Sequence, residues 1–322
     1  MFDQGPYHSS FHLRLLRPRY WGHWLIVLAM LFMAFIPLLV RDRLADVIAS
    51  WMVNRDFLKK RRLVIRCNLE RCFPDLSDSL YEQMARENVR AFCQTVLSLG
   101  ELMWRSKKAQ QRRIRIEDDG RLAKLKANGK PLLFLTPHTF GLDWAARALI
   151  LAGFPMSNIF KPTGKPVFDY LMFKYRTSQG GVQFSRGEGM RTLVQSIRSG
   201  YCCLYVADQD HGMASSVFAP FFGTPKCTLP IMGRLAQAAR AQVVPVIVGY
   251  DPHTHQFVLH VDEPLETLET DDLASATQMN RAYEKLISRF PADFMWSLKI
   301  FRNLDGTRPY PSPNSEWRIN TG

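Results

Sequence analysis

The chain has 322 residues, 47% of them apolar and 7 of them tryptophan, with a formal net charge of +13. That length allows one large domain with appendages, or two domains, and the apolar share supplies a sizeable core. The six cysteines (Cys67, Cys72, Cys93, Cys202, Cys203, Cys227) follow no CxxC or Cys/His spacing, which excludes a zinc site of the usual pattern and indicates free thiols in a reducing compartment. The charge bears on partners rather than fold: anionic lipid, nucleic acid or an acidic protein.

Residues 1–23 form a basic N-terminal segment (Arg14, Arg17, Arg19) ending in Tyr20-Trp21-Gly22-His23, with Trp24 next. Leu25 to Val40 is then an uncharged apolar run, interrupted by Pro37 and closed by Arg41-Asp42-Arg43. With Trp24 it would extend roughly 26 Å as a helix, against about 30 Å of bilayer hydrocarbon. The preceding Tyr/Trp cluster resembles an interfacial belt. Residues 24–40 are therefore expected to form a membrane anchor helix, single-pass or monotopic. More Lys and Arg follow the run (Arg41, Arg43, Arg55, Lys59, Lys60, Arg61, Arg62) than precede it, which places the bulk of the chain on the cytoplasmic side.

Residues 41–113 read as a helical, membrane-proximal region. A helix opened by Lys59-Lys60-Arg61-Arg62 stops at Pro74, and Ser79 with Glu82 suggests a capping box for the next. That next helix carries Tyr81, Met84, Ala85, Asn88, Val89, Phe92, Cys93 and Val96 on one face. Lys107, Lys108, Arg112 and Arg113 end the region. Such charge runs are usually solvated faces, but beside an anchor they also suit anionic headgroups.

From residue 114 to 303 the pattern alternates. Strand-like segments at 115–116, 132–135, 158–160, 182–184, 202–206, 243–248 and 257–261 are separated by helical patterns at 142–152, 166–176, 187–199 and 229–240. A last helix carries Met279, Ala282, Tyr283, Leu286, Ile287 and Phe290, and residues 304–322 are a Pro-rich tail. The expected fold is α/β, with a mixed, mostly parallel sheet flanked by helices.

In such a sheet ligands bind beyond the carboxyl ends of the strands. Three polar groups fall there: His138 after 132–135, Ser185-Arg186-Gly187 after 182–184, and Asp208-Gln209-Asp210-His211-Gly212 after 202–206. His138, with Asp143 five residues on at a helix start, has the makings of a general base and its orienting partner. The pair reads equally as a His capping a helix and an Asp satisfying its first amides. Asp208, Asp210 and His211 read as a turn with solvated carboxylates more readily than as metal ligands. His253-Thr254-His255 reads as a surface hairpin. The chain has no GxSxG elbow, Walker loop or GxGxxG.

Several stretches in this order resemble the late acyltransferases of lipid A biosynthesis, of the lauroyl/myristoyl transferase type, within the lysophospholipid acyltransferase superfamily. They are Arg17-Pro-Arg-Tyr-Trp-Gly22, Asn68-Leu-Glu-Arg-Cys-Phe-Pro74, Gly164-Lys-Pro-Val-Phe-Asp-Tyr170, Asp208-Gln-Asp-His-Gly212 and Phe218-Ala-Pro-Phe-Phe222. His138 and Asp143 stand in the family's H-x4-D motif, and the match runs from about residue 15 to 303. The Arg-Pro-Arg-Tyr-Trp start and the Gln-Asp-His-Gly form are closer to the myristoyl type. Glycerolipid acyltransferases of the superfamily typically have an Asn before the His and a Ser two after it, where this chain has Pro137 and Phe140, and their Pro-Glu-Gly-Thr block is missing. A lysophosphatidate-type acceptor is the alternative this disfavours.

The resemblance implies a glycerolipid acyltransferase-like fold and transfer of a fatty acyl group from acyl carrier protein to the hydroxyl of a hydroxyacyl chain on a phosphorylated lipid A precursor, at the bacterial inner membrane. No metal, cofactor or nucleic acid is implied. His138 would take the hydroxyl proton and Asp143 would hold the imidazole. Arg176 and Arg186 are candidates for binding the oxyanion or the precursor's phosphates. Asp208 and Asp210 are substrate-site candidates, and residues 166–176 with Phe218 to Phe222 are candidate acyl-chain lining. The rival from another class is a non-catalytic, membrane-anchored protein that binds polyanions through its basic clusters.

Overall fold

Strands β2 (Leu132–Leu135), β5 (Cys202–Tyr205), β3 (Met156–Phe160) and β4 (Val182–Ser185) lie side by side and parallel, with β8 (Gln242–Asp251) parallel to β2 on its other flank. β9 (Gln256–Val261) returns antiparallel to β8, and β1 (Ile114–Glu117) closes that edge parallel to β9. The seven-stranded order is β1-β9-β8-β2-β5-β3-β4. This is the α/β fold with a mixed, mostly parallel sheet that the alternation predicts. It is described by a computed structural model, for residues 9–53, 55, 58–160, 162–185, 189–304 and 310.

The central strands are apolar because both faces are covered. On one side, α3 (Lys59–Cys72), the start of α4 (Asp78–Trp104), α9 (Gly189–Arg198), α10 (Met232–Ala239) and α11 (Asp272–Arg289) pack Leu69, Tyr81, Ile197, Met232 and Tyr283 against Leu133, Leu135 and Cys203. On the other, the end of α4, α6 (Arg121–Asn128), α7 (Leu142–Leu151) and α8 (Pro166–Ser178) bring Leu102, Leu122, Trp144 and Tyr175 against Phe134, Val244 and Phe257. The helix start expected at Ser79 lies two residues earlier: Ser77 is the N-cap, and Glu82 pairs with Arg62 and Arg66 instead of completing a capping box. None of the six cysteines is in a disulfide, and all six are buried.

A hairpin of β6 (Val217–Phe221) and β7 (Thr224–Thr228) stands apart from the main sheet and packs on α11. The sequence pattern misses it, because Pro220 and Pro225 sit opposite each other within its strands. Phe221 is wholly buried among core residues and Phe218 is exposed, and no residue from Phe218 to Phe222 lines the cavity described below.

The membrane anchor expected at 24–40 is not formed. α1 (Trp21–Met33) has 13 residues, about 20 Å of helix, and ends in a turn at Ala34–Ile36 before α2 (Leu38–Val53) begins. Pro37 causes the break, since it offers no backbone N–H and disfavours helical geometry at Ile36. No helix among the described residues is long and apolar enough to cross a membrane. Of the charges taken to close the apolar run, Arg41 and Asp42 are buried, while Arg43 is exposed. Arg41 meets Glu101 of α4 at 2.5 Å, and Asp42 accepts from the Tyr250 hydroxyl at 2.7 Å and faces His255 Nδ1 at 2.5 Å. His255, in the expected β8–β9 turn, thus ties the hairpin to α2. α1 lies against α4 so closely that a Cβ on Gly100 would stand 2.0 Å from the Met30 carbonyl oxygen.

Candidate active site

β2 and β5 are neighbours in register, with Leu135 opposite Tyr205. Three residues past each of these positions come His138 and Asp208. The backbone N–H of His138 donates to Asp208 Oδ2 at 2.9 Å, and His138 Nδ1 faces Asp208 Oδ1 in a very short contact. A carboxylate only accepts, so the ring proton sits on Nδ1 and leaves Nε2 as an acceptor. The side chain of Gln209 is the near neighbour of Nε2, at 3.4 Å. Burial opposes charge on His138, but the charge of Asp208 and its hydrogen bond outweigh it and raise the imidazole above its ordinary value. Asp208 has no exposed side-chain surface, yet stays below the usual carboxylate range. Burial pushes it up; His138, its own N–H and the Lys226 charge overcome that.

Asp143 has a different partner from the one expected. Arg176, on α8, donates to Asp143 Oδ1 through Nε at 3.0 Å and Nη2 at 2.9 Å. Asp143 lies in the first turn of α7, so the H-x4-D spacing brings it to the same cavity as His138, while the imidazole's Nδ1 turns to the neighbouring strand. That cavity, of about 600 Å³, lies within the range of pockets that hold small-molecule ligands. His138, Asp143, Arg176, Gln209 and His211 form its polar wall. Ala146, Ile150, Met156, Ile159 and Leu193 give it an apolar branch, to which α8 contributes Tyr175.

The other predicted residues separate. Asp208 is neither a solvated turn residue nor substrate-facing, but the partner of His138. Asp210 is turned to the protein: it accepts from Gly212 N at 3.0 Å, Asn303 N at 2.7 Å and Asn303 Nδ2 at 2.6 Å. Among the described residues, no group of His, Cys, Asp and Glu has the arrangement of a metal site. Arg186 lies outside the described residues.

Sequence reasoning also missed the support behind His138. Its carbonyl accepts from Met295 N at 2.8 Å, and Thr139 bridges to Phe294. The 292–298 segment is in turn gripped by two buried asparagines. Asn88 Nδ2 donates to the carbonyls of Ala292 (2.8 Å) and Phe294 (2.6 Å), and Asn68 Nδ2 to those of Trp296 and Leu298 (both 2.7 Å). Asn88 stood on the expected apolar face of α4; a carboxamide there, on a face otherwise apolar, was the available signal.

A histidine with its Nδ1 fixed and Nε2 left as an acceptor, opening on a cavity with an apolar branch, has the chemistry for base-assisted reaction of a hydrophobic substrate. Comparison with known proteins narrows this class. The sequence profile described as bacterial lipid A biosynthesis acyltransferase matches residues 8–303. The chain is 34% identical over 301 residues to the lipid A biosynthesis myristoyltransferase of Escherichia coli, covering 93% of each. It is 31% identical over 296 residues to a lipid A biosynthesis acyltransferase of Haemophilus influenzae, covering 92% of each, and 25% identical over 311 residues to the E. coli lauroyltransferase, covering 95% of this chain and 98% of the other. The chain belongs to the bacterial lipid A biosynthesis acyltransferase family. It is an enzyme that transfers acyl groups in making lipid A.

Proposed function

We propose that the protein transfers a myristoyl or lauroyl chain from acyl carrier protein to the hydroxyl of a hydroxyacyl chain on a phosphorylated lipid A precursor, with His138 as the general base. The observation that carries this reading is the His138–Asp208 pair, which commits Nδ1 and leaves Nε2 to accept a proton. The acceptor oxygen attacks the thioester carbon as its proton passes to Nε2, a step that such a base accelerates by roughly 100- to 10,000-fold. Asp208 holds the tautomer and stabilises the imidazolium. The tetrahedral intermediate expels the carrier's thiolate, which takes the proton back from His138. Asp143 acts through Arg176, holding the guanidinium at the cavity wall to meet the developing oxyanion or a precursor phosphate. The apolar branch receives the acyl chain, and the higher identity to the myristoyltransferase than to the lauroyltransferase favours myristoyl.

The enzyme works at the cytoplasmic face of the bacterial inner membrane. Trp21, Leu25, Ile26, Leu28 and Phe32 on α1 and Phe35, Leu39, Val47 and Trp51 beyond it are all more than half exposed. Arginines stand beside the aromatics of this surface, Arg19 over Tyr20, Arg55 over Trp51 and Arg105 over Phe35. An apolar face edged by cations suits one leaflet with anionic headgroups.

The test is mass spectrometry of tetra- and penta-acylated precursors incubated with the protein and a set of acyl carrier proteins and acyl-coenzyme A donors. A mass gain of one tetradecanoyl or dodecanoyl group, lost in His138→Ala, is expected. A mass gain equally large in His138→Ala would remove the base from this reading.

A further inference from the structure

Side chains along a strand alternate between the two faces of a sheet. On β5, Cys203, Leu204 and Tyr205 nevertheless all line the cavity, and on β3 so do Asn158 and Ile159. The packing agrees with the alternation. Leu204 packs with the core under α7 and α8, whereas Cys203, Tyr205 and Ile159 pack with the core under α9 and α11. The cavity therefore passes through the sheet.

Strand pairing shows where it passes. β5 stays paired with β2 through Tyr205, and β3 stays paired with β4 through Phe160. Between β3 and β5 the pairing ends at Ser157 and Cys203, so the two strands part before either one stops. Parting strands give up ladder hydrogen bonds, and a crevice beyond paired strands is where open α/β sheets take ligands.

The opening divides the apolar branch into two arms. The first, on the α7–α8 face, is walled by Ala146, Ile150, Met156 and Tyr175. α7 returns from the end of β2 to the start of β3, so Ala146 and Ile150 come about 5 and 10 Å past Asp143 along the helix. Met156, at the start of β3 and 1% exposed, makes the deep end of this arm blind. The second arm, on the α9 face, is walled by Leu193, Ile159 and Tyr205, and it reaches the surface at Met190, which is 38% exposed.

The proposed chemistry brings two hydrocarbon chains to one histidine: the chain being transferred and the hydroxyacyl chain whose oxygen attacks. The transferred chain is bonded to the thioester carbonyl and free at its methyl end, so a blind arm suits it. The first arm also begins at Asp143 and Arg176, the guanidinium assigned above to the oxyanion of that carbonyl. The attacked chain belongs to a molecule whose other chains and headgroup stay outside, so it suits an arm open to the surface. We propose that the second arm, between β3, β5 and α9, binds the acceptor's hydroxyacyl chain, while the first arm holds the donor's acyl chain. The inference rests on the acyl-transfer reading of His138. The two substrates then meet through the gap in the sheet, each chain on its own face.

The test measures kcat/KM for two substrate series, in wild type and in variants that fill one arm. Donors are decanoyl to hexadecanoyl acyl carrier proteins; acceptors are precursors whose attacked chain is hydroxydecanoyl or hydroxytetradecanoyl. Ala146→Phe should shift preference toward shorter donors by about tenfold and leave the acceptor preference unchanged. Leu193→Phe should shift preference toward the shorter acceptor chain by a similar factor, with the donor ranking unchanged. Should either variant not fold, Ile150→Ala and Leu193→Ala enlarge the same arms and should shift the same preferences toward longer chains. A donor shift from the Leu193 variants, an acceptor shift from those at Ala146 or Ile150, or no shift from folded variants would overturn the proposal. Native mass spectrometry with tetradecanoic and β-hydroxytetradecanoic acids reads the arms without turnover. Two chains should bind to wild type and one to each filled variant, and a single chain on wild type would also overturn it. A wild type that binds two chains and transfers none would refute the acyl-transfer reading while leaving both arms in place.

Discussion

Asp143 is bound by Arg176 through two nitrogens on one carboxylate oxygen, while the imidazole of His138 is bound by Asp208, 70 residues further along the chain. With His138 as the proposed base, the two carboxylates around it are expected to have different tasks. Asp143→Asn should lower kcat/KM by roughly 10- to 100-fold through a loosened guanidinium. It should leave the pH at which the rate rises unchanged. A shifted limb in steady-state pH profiles would show that Asp143 acts on the imidazole directly.

Asp208→Asn should do the opposite. Because the Asp208 anion raises the His138 pKa, the rate should rise with pH through a value above 6.5, the ordinary histidine value. Removing the anion should move that limb to lower pH and reduce the plateau by roughly 100- to 10,000-fold, since the tautomer is no longer held. The same pair is linked to stability. With a folded pKa above the unfolded one, its contribution is fully present below about 6.5 and is lost as pH rises through the folded value. Thermal melts of wild type and Asp208→Asn should therefore differ most in acid.

Asp293 has the reverse linkage from an ordinary carboxylate. Burial pushes it up to about 7, against the hydrogen bond it accepts from Tyr250 N at 3.0 Å. The folded state keeps a proton that the unfolded state releases near 3.8, so wild-type stability should fall as pH rises from about 4 to 7 and then level off. Asp293→Asn keeps an acceptor for Tyr250 and removes the titration. It should be more stable by on the order of 2 kcal/mol at pH 8 and show a flatter melting temperature against pH. A parallel pH dependence in the two proteins would contradict this.

Asn88 and Asn68 each donate to two carbonyls of the segment behind His138. Alanine at Asn88 takes the side-chain donor from the Ala292 carbonyl and alanine at Asn68 from that of Trp296, while Phe294 and Leu298 keep backbone donors in Trp296 N (2.8 Å) and Ile300 N (3.0 Å). The cost should be roughly 1–3 kcal/mol. Denaturant midpoints should fall accordingly, and activity should fall further than the folded fraction does, because the His138 carbonyl hangs from the same segment at Met295.

The exposed face of α1 and α2 should carry membrane attachment. Aspartate at Leu25 and Phe32 together should release the protein from vesicles containing phosphatidylglycerol in a flotation assay, with an unchanged thermal melt. Retention by those vesicles would point the attachment elsewhere.

The central strands β2 and β5 were legible because each is a short, largely apolar run bounded by turn residues. The hairpin β6–β7 was not, since prolines within its strands contradict the usual signature of a sheet interior. The membrane anchor was misread because a hydropathy count treats Leu25 to Val40 as continuous, whereas Pro37 divides it and α4 covers one side of the first half. At the site, His138 stood out by its place after β2. Its partner did not, because adjacency in sequence favoured Asp143. Pairing with Asp208 depends on β5 lying next to β2, and an order of β8-β2-β5-β3-β4 is a property of the assembled sheet. Once that order is known, equal offsets from Leu135 and Tyr205 put the two residues together.

The clamp of Asn68 and Asn88 on residues 292–298 joins the two ends of the chain across the enzyme. A fragment trimmed to begin at β1, as one might design to obtain an easily handled catalytic portion, would remove both amide donors from the strap, leave the Ala292 and Trp296 carbonyls without them, and loosen the support of the His138 loop. Exchange of α3 and α4 between relatives should therefore succeed only when the 292–298 segment travels with them, so that these distant stretches behave in recombination as one inherited block.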